Sequence, residues 1–429
     1  MKVKLSINLL FFYFLLIFLL SPAIQSTGIG STSYGIFFSS IVIILSYSFL
    51  SAQHKSSLSG LSNSAGIAFL FVTFILFHGL VVSFLNGYDI SFLRLVISCV
   101  ITSTIVISSY IFSSMLKSID SKKFKLVMRS IITLMLILIP AIILRYSAIF
   151  SEIKALFYSA DNILDYIVIF AEPSHYVLAF LPIYLYKIII GTPIERMLLI
   201  IFGFVFIILV KSLTLLIFIL GILFLIVSAR PKILIYVLFL LLISIFLLWI
   251  TSFNVPNLRP EFYIFNKLDG ILLPSLSTNL SALTFIADWH EAYLNMLKTN
   301  GMGIGFQQIG VAGERSFTKS LVYENSGTFA WNIKFESFSV LPKLISEFGI
   351  FAFIFLLVYI KYFLISFTLL RKNLLSKVSE LDYKMVLINC FIVCFAVNLF
   401  VRGTGYFTTS SFFFVVAFFY LSSYKRKDT

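Results

Sequence analysis

The chain has 429 residues, 60% hydrophobic and only 12% charged, with a mean hydropathy of +1.05 and a formal net charge of +14. A soluble domain of this length needs far more surface charge, so that class is excluded. The apolar runs are too long for barrel strands, which leaves α-helical membrane spans. The excess of bases suggests nucleic acid only until it is mapped. It follows membrane topology, and no nucleic-acid partner is expected.

Taken in chain order, hydropathy predicts an all-α polytopic protein of about twelve transmembrane helices. They fall near residues 5–22, 34–51, 65–85, 92–114, 126–146, 163–186, 197–211, 212–228, 233–252, 340–366, 385–401 and 405–424. The first, behind Met1 to Lys4, reads as an uncleaved signal-anchor, because no small-residue cleavage site follows. The seventh and eighth are short halves of one apolar stretch interrupted at Lys211-Ser212. They read as a tight hairpin or a partly re-entrant pair.

Charge orients the spans. With the N-terminus inside, the cytoplasmic segments hold 20 of the 32 bases with five acids, leaving 12 bases and 13 acids elsewhere. One face then carries +15 and the remainder −1. Both termini are expected in the cytoplasm. The organisation is a bundle of nine spans over 1–252, a large periplasmic loop over 253–339, and three spans with a basic tail over 340–429. A loop this long in a compact protein is usually functional. Its middle, Leu280 to Leu297, reads as a helix on the spacing of Leu283, Ile286, Trp289, Tyr293 and Met296. Asn300-Gly301 and Gly303, Gly305, Gly310 and Gly313 end that helix. No internal repeat of the kind that builds many transporters is visible.

Four groups of residues carry possible chemistry. Glu172-Pro173-Ser174-His175 lies near the external end of the sixth span. Pro173 opens the helical ladder, and Glu172, His175 and Tyr176 share a face. The group reads either as a structural pair at a kink or as a carboxylate and imidazole able to take a proton from a sugar hydroxyl. A second group comprises the outward cations Arg94, Arg145, Lys211, Arg259, Arg315 and Arg402. They oppose the topology bias and suit a pyrophosphate head group, or else snorkel to lipid phosphates. Arg402 has glycine neighbours whose amides can also approach an anion.

The third group, Asp288-Trp289-His290-Glu291, reads as a solvated helix face, with a sugar-stacking role as the alternative. The fourth, Gly301-Met302-Gly303-Ile304-Gly305-Phe306, lacks a βαβ setting and a Walker lysine, so nucleotide binding is rejected. Cys99, Cys390 and Cys394 sit in apolar runs and read as packing residues. No metal site and no cofactor are expected.

Together these stretches resemble the bacterial O-antigen polymerase family, which is distantly related to O-antigen ligases. Glu172-Pro173-Ser174-His175 resembles the family's Glu-Pro-Ser segment, and Lys211-Ser212 its Ser-Arg tip. Trp289 to Phe306 resembles its Trp…Asn-Pro…Gly-x-Gly-Phe pattern without the proline. Leu344-Ile345-Ser346-Glu347-Phe348-Gly349 resembles a Glu-x-Gly start of the span after the loop. Arg402-Gly403-Thr404-Gly405-Tyr406-Phe407 resembles an Arg-Gly-Gly-Tyr-Phe entry to the last span. The resemblance implies a metal-independent glycosyltransferase in the bacterial inner membrane that joins undecaprenyl-pyrophosphate-linked oligosaccharide repeat units at the periplasmic face, in lipopolysaccharide biosynthesis. It implies a chain-length regulator as partner.

The expected catalytic residues are Glu172, His175, His290 and Asp288, and the expected pyrophosphate ligands Arg402, Arg259, Arg315 and Lys211. Ligases carry a His-Asn pair before the Glu-x-Gly. Here that region reads Glu336-Ser337-Phe338-Ser339, which favours the polymerase. A ligase and a lipid-linked oligosaccharide flippase are the alternatives.

Overall fold

The computed structural model describes residues 7–20, 32–53, 59–87, 90–146, 173–210, 213–229, 280–312, 316–326, 339–376, 382–403 and 405–425. Regular structure among them is helical; the only β feature is an isolated bridge between Ile309 and Ala312. The helices are α1 (Ile7–Leu15, continued by a π-turn), α2 (Thr32–Gln53), α3 (Ser59–Asn86), α4 (Phe92–Ser118) and α5 (Ser121–Tyr146). They continue as α6 (Pro173–Ile190), α7 (Pro193–Val210), α8 (Leu213–Ala229), α9 (Leu280–Lys298) and α10 (Phe317–Ser326). The last four are α11 (Val340–Phe348), α12 (Phe351–Leu375), α13 (Tyr383–Phe400) and α14 (Thr409–Lys425).

Four described helical stretches are long and apolar enough to cross a membrane: Ala65–Leu85 within α3, and α4, α12 and α13. In lipid this is the favoured state, because a helix satisfies its own backbone polar groups. Burial sorts the four. α4 and α13 lie mostly inside the bundle, whereas α3 and α12 present Phe69, Leu70, Phe84, Leu357 and Leu364 outward.

Aromatic packing closes the interior. Phe391 stacks on Phe413 at 4.5 Å and Phe395 on Phe414 at 4.3 Å, zipping α13 to α14. Phe14 of α1 meets Phe112 of α4 edge-on at 5.0 Å. Ring pairs of this kind add about 0.5–1.5 kcal/mol each beyond their area burial.

The bundle has two chemically distinct ends. At one, basic side chains bind helix carbonyls, chiefly the last ones, where the backbone leaves acceptors unpaired. Arg196 donates to the carbonyls of Ile188 and Ile189 in α6, both at 2.9 Å, and to Leu374 of α12 at 3.2 Å. Lys384 donates to the carbonyls of Lys117 and Ile119, and Lys117 to that of Phe419 at 3.2 Å. Asp382 caps α13 by accepting from the amides of Lys384 and Met385. The opposite, loop end gathers the start of α4, the glycine-rich segment after α9, α11 and the start of α14.

Three expectations need correction. The tenth span, expected as one helix over 340–366, is two: Gly349 at φ +55° ends α11 before α12 begins. The last helix starts at Thr409 rather than 405. The face of α9 bearing Asp288 and Glu291 is not solvated. It is packed inward, and Tyr293 of the apolar stripe is exposed instead. Lys319 of α10 explains the inversion, since its fully buried ammonium sits 3.2 Å from Asp288 and 3.4 Å from Glu291.

The zipper generates a test. Phe391→Ala opens a cavity under Phe413 and should destabilise the protein by about 3–5 kcal/mol, read as a lowered melting temperature in detergent. Leu357→Ala, on the outward face of α12, should leave it nearly unchanged.

Candidate functional site

The site is built where two stretches distant in sequence meet backbone to backbone. After Lys298 the chain closes α9 with a C-cap turn. Asn300 and Gly301 take positive φ, and the Gly301 amide donates back to the carbonyl of Met296 at 2.8 Å. The chain then runs along the end of α11. The Ile304 amide donates to Ser346 O at 3.0 Å, the Gly305 amide to Glu347 O at 2.9 Å, and the Ile350 amide to Gly301 O at 2.7 Å. A Cβ on Gly303 would strike the Glu347 carbonyl, and one on Gly349 would overlap that of Gly301. Gly349 also has φ +55° and ψ −125°, which side-chain-bearing residues avoid. Asn295 adds a side-chain bond to Ser346 at 2.6 Å.

This lock holds a buried polar cluster. Glu347 is fully buried, and its Oε2 accepts from the Tyr406 hydroxyl at 2.9 Å. Lys343, one turn earlier on α11, donates to Gln307 Oε1 at 3.1 Å and stands 4.0 Å from Glu347 Oε1. Its ammonium lies 5.0 Å from the centre of the Tyr406 ring. Gln307 achieves this with φ +58°, a strained setting of the kind that collects at functional sites.

Other elements grip the same loop. Gln308 accepts from the Ser91 amide at 3.0 Å, and Arg94 donates to Ile309 O. His78 of α3 is 2.9 Å from the Met302 carbonyl, so Nε2 is the donor.

Directly against the cluster lies an apolar groove of about 1030 Å³, bounded by α3, α4, α11, α12, α13 and α14. Its lining runs from Phe306, Tyr406 and Phe407 at the loop end to Phe418, Phe419 and Ser422 near the end of α14. From Thr409 to Ser422 a helix rises about 20 Å, most of the thickness of a hydrocarbon core. Phe306 stacks on Tyr406 at 5.4 Å where the groove meets the polar cluster. The arrangement can hold a molecule with a long apolar chain and a charged head.

The expected residues distribute unevenly. Glu172, Lys211, Arg259 and Arg315 lie outside the described residues, as does the side chain of His175. Arg402 is half-buried after α13, its amide bonded to Val397 O at 2.9 Å, four residues before Tyr406. Asp288 and His290 sit together at the junction of α9 and α10. Asp288 is ion-paired to Lys319, and His290 Nδ1 lies 3.3 Å from the Thr318 hydroxyl. Burial alone would weaken the Lys319 ammonium; Asp288 and Glu291 more than reverse this and hold it above the ordinary lysine range. Asp288 stands about 10 Å along α9 from Asn295, which touches the loop lock.

Sequence reading missed Lys343, Glu347, Gln307 and Tyr406 as a group. The available signal was Lys343 and Glu347 four apart in an apolar run, the same kind of spacing that drew attention to Glu172 and His175. Among the described residues no three His, Cys, Asp or Glu side chains converge as metal ligands.

The lock gives a graded prediction. Gly349→Ala meets both positive φ and the Gly301 carbonyl, so it should cost more than the roughly 1–3 kcal/mol of backbone strain alone. Gly301→Ala meets open space and should cost only that strain. Melting temperatures of the two purified variants check the order.

Compared with protein-family models, with curated proteins and with solved structures, the chain matches none.

Proposed function

We propose that the protein is an O-antigen polymerase, a glycosyltransferase joining lipid-pyrophosphate-linked oligosaccharide repeat units at the external face of the bacterial inner membrane. The observation that carries this reading is the junction of a buried charged cluster with an apolar groove that runs along most of α14. That is the shape of an amphiphile with an isoprenoid chain and an anionic head. Three motifs that resemble the polymerase family also come together at this junction: the glycine segment ending at Phe306, the Glu347-Phe348-Gly349 turn, and the approach to Tyr406-Phe407.

In this reading the chain crosses the membrane twelve times with both termini inside, and the loop end faces the periplasm. The end where Lys117, Arg196 and Lys384 bind helix carbonyls then faces the cytoplasm, as basic residues prefer. The reaction transfers a growing chain from its carrier to a sugar hydroxyl of a new unit. The hydroxyl oxygen attacks the anomeric carbon, the bond from that carbon to the pyrophosphate oxygen breaks, and the hydroxyl proton passes to a base. Glu172 or His175 takes that role, with His290 and Asp288 as the further candidates. Arg402, with Arg259, Arg315 and Lys211, stabilises the charge that builds on the leaving pyrophosphate. A separate chain-length regulator completes the system.

The test is the lipopolysaccharide ladder of a deletion strain complemented with variants. Loss of a polymerase leaves core plus one unit; loss of a ligase leaves no attached units; loss of a flippase traps units inside. Arg402→Ala should keep normal membrane levels and give the one-unit ladder. Arg402→Lys should rescue in part, because a point charge does not reproduce paired guanidinium contacts. A full ladder with Arg402→Ala removes that residue from the site. A deletion strain with a normal ladder overturns the function.

A further inference from the structure

The second half of α9 is turned inside out. Asp288, Glu291 and Asn295 are 4%, 9% and 3% exposed, while Tyr293 and Leu297 are 61% and 57% exposed. At about 3.6 residues per turn, the three polar groups share one face and the two apolar ones lie across the helix from them. We propose that the last two turns of α9 dock their Tyr293–Leu297 face into the bilayer leaflet at the loop end. The occupant is bilayer lipid, at the boundary of acyl chains and headgroups. This part of the segment expected as a periplasmic loop over 253–339 is then seated in the membrane and not in external water. The proposal goes beyond the polymerase reading and needs only that α3, α4 and α12 cross a membrane.

Polarity is the first argument. A surface helix in water turns its charged side out. Hydrocarbon selects the reverse order, with charges paired inside and apolar groups outside. The inward side of α9 meets that demand. Lys319 lies 3.2 Å from Asp288 and 3.4 Å from Glu291, and Asn295 donates to Ser346 Oγ at 2.6 Å. Rolling α9 to bury Tyr293 and Leu297 would take both carboxylates away from a buried ammonium. One exposed apolar side chain needs no explanation, but here a whole face is apolar on a helix whose polar face is buried. Half-buried Ile286 and His290 continue the same stripe towards the start of α9. Tyr293, with an apolar ring and a polar tip, suits the headgroup boundary.

Depth is the second argument, and it comes from the spans. The Gly301 amide bonds to Met296 O, so Leu297 stands beside the turn that closes α9. The carbonyl of Gly301 accepts from the amide of Ile350, which places this turn level with the start of the α12 span. The next residue, Met302, meets His78, which lies about 10 Å down the α3 span from Leu85. Gln308 and Ile309 are held by Ser91 and Arg94 at the start of the α4 span. Around these levels α3 presents Leu80 and Phe84 outward, α4 presents Phe92 and Leu93, and α12 presents Phe353 and Ile354. Lipid covers such residues on a membrane-spanning bundle. The end of α9 therefore lies at a depth where an outward side chain meets lipid, and its apolar face continues that band. This continuity commits the occupant to lipid over a water-borne partner.

The experiment uses the purified full-length protein in nanodiscs, with a nitroxide label at Tyr293→Cys or at Leu297→Cys. Phe84→Cys on the outward face of α3 is the lipid reference, and Lys123→Cys at the basic end is the water reference. Cys99, Cys390 and Cys394 are buried, and labelling of the unmodified protein measures their background. Power saturation compares collisions with oxygen, which enters hydrocarbon, and with a nickel chelate, which stays in water. Labels at Tyr293 and Leu297 should follow Phe84, with oxygen collisions dominant, and Lys123 should show the reverse. A nickel-dominated signal at either α9 position overturns the proposal. A label reached by neither reagent means that protein covers the face, which overturns it equally.

Leu297→Trp gives a reading without a label. Its emission above that of the unmodified protein should be quenched by lipids brominated in their acyl chains. Unquenched emission overturns the proposal. Failure of the polymerase reading is recognised separately, as a normal ladder in the deletion strain with the α9 labels still facing lipid.

Discussion

The loop end depends on a close backbone approach that only residues without side chains allow. The segment after α9 and the turn after α11 exchange three amide–carbonyl bonds across Gly303 and Gly349. This contact sets where α11 stops and therefore where Glu347 and Lys343 stand. It also fixes Gln307, whose side-chain oxygen accepts from Lys343. A methyl group at either glycine would move the loop away from α11 and unbind the cluster. The Ser91 backbone amide and the Arg94 and His78 side chains tie the same loop to α3 and the start of α4, so the helices that wall the groove are registered against its mouth.

The membrane explains why a cluster of this kind requires such support. An ionised group near hydrocarbon is costly unless paired or placed at a polar cavity. The bundle meets this constraint differently at its two ends. At the basic end, half-buried Arg196 and Lys384 bind helix-terminal carbonyls, which serves capping, and Lys117 binds a carbonyl within α14. At the loop end, Lys343 and Glu347 are buried and held by named hydrogen bonds, and Lys319 is enclosed by two carboxylates. The first pattern reads as anchoring and the second as construction of an interior.

Much of the helical architecture was legible from hydropathy alone. α3, α4, α12 and α13 carry the long apolar runs that length and composition pick out, and α9 was visible from its periodicity. The break at Gly349 was not, because hydropathy continues from Val340 into Phe351 while the helical hydrogen bonding is interrupted there. The inward face of α9 was misread because a polar stripe is taken as solvated unless its partner is known. That partner, Lys319, lies 31 residues from Asp288. The candidate site shows the same limit. The glycine segment and the Glu347-Phe348-Gly349 turn each stood out, but their meeting is a long-range backbone contact with no periodic signature. Lys343 went unremarked because one lysine in an apolar run looks like an interfacial anchor until Gln307 and Tyr406 are seen around it.

The central claim is that the glycine-rich segment is locked onto the end of α11 and thereby holds the charged mouth of the groove. Hydrogen–deuterium exchange of the protein in nanodiscs tests it most directly, read at the amides of Ile304, Gly305 and Ile350. The account predicts strong protection at all three, comparable to the amides inside α13 and lost in the Gly349→Ala variant. Exchange at the rate of an unstructured peptide in the unmodified protein would contradict it.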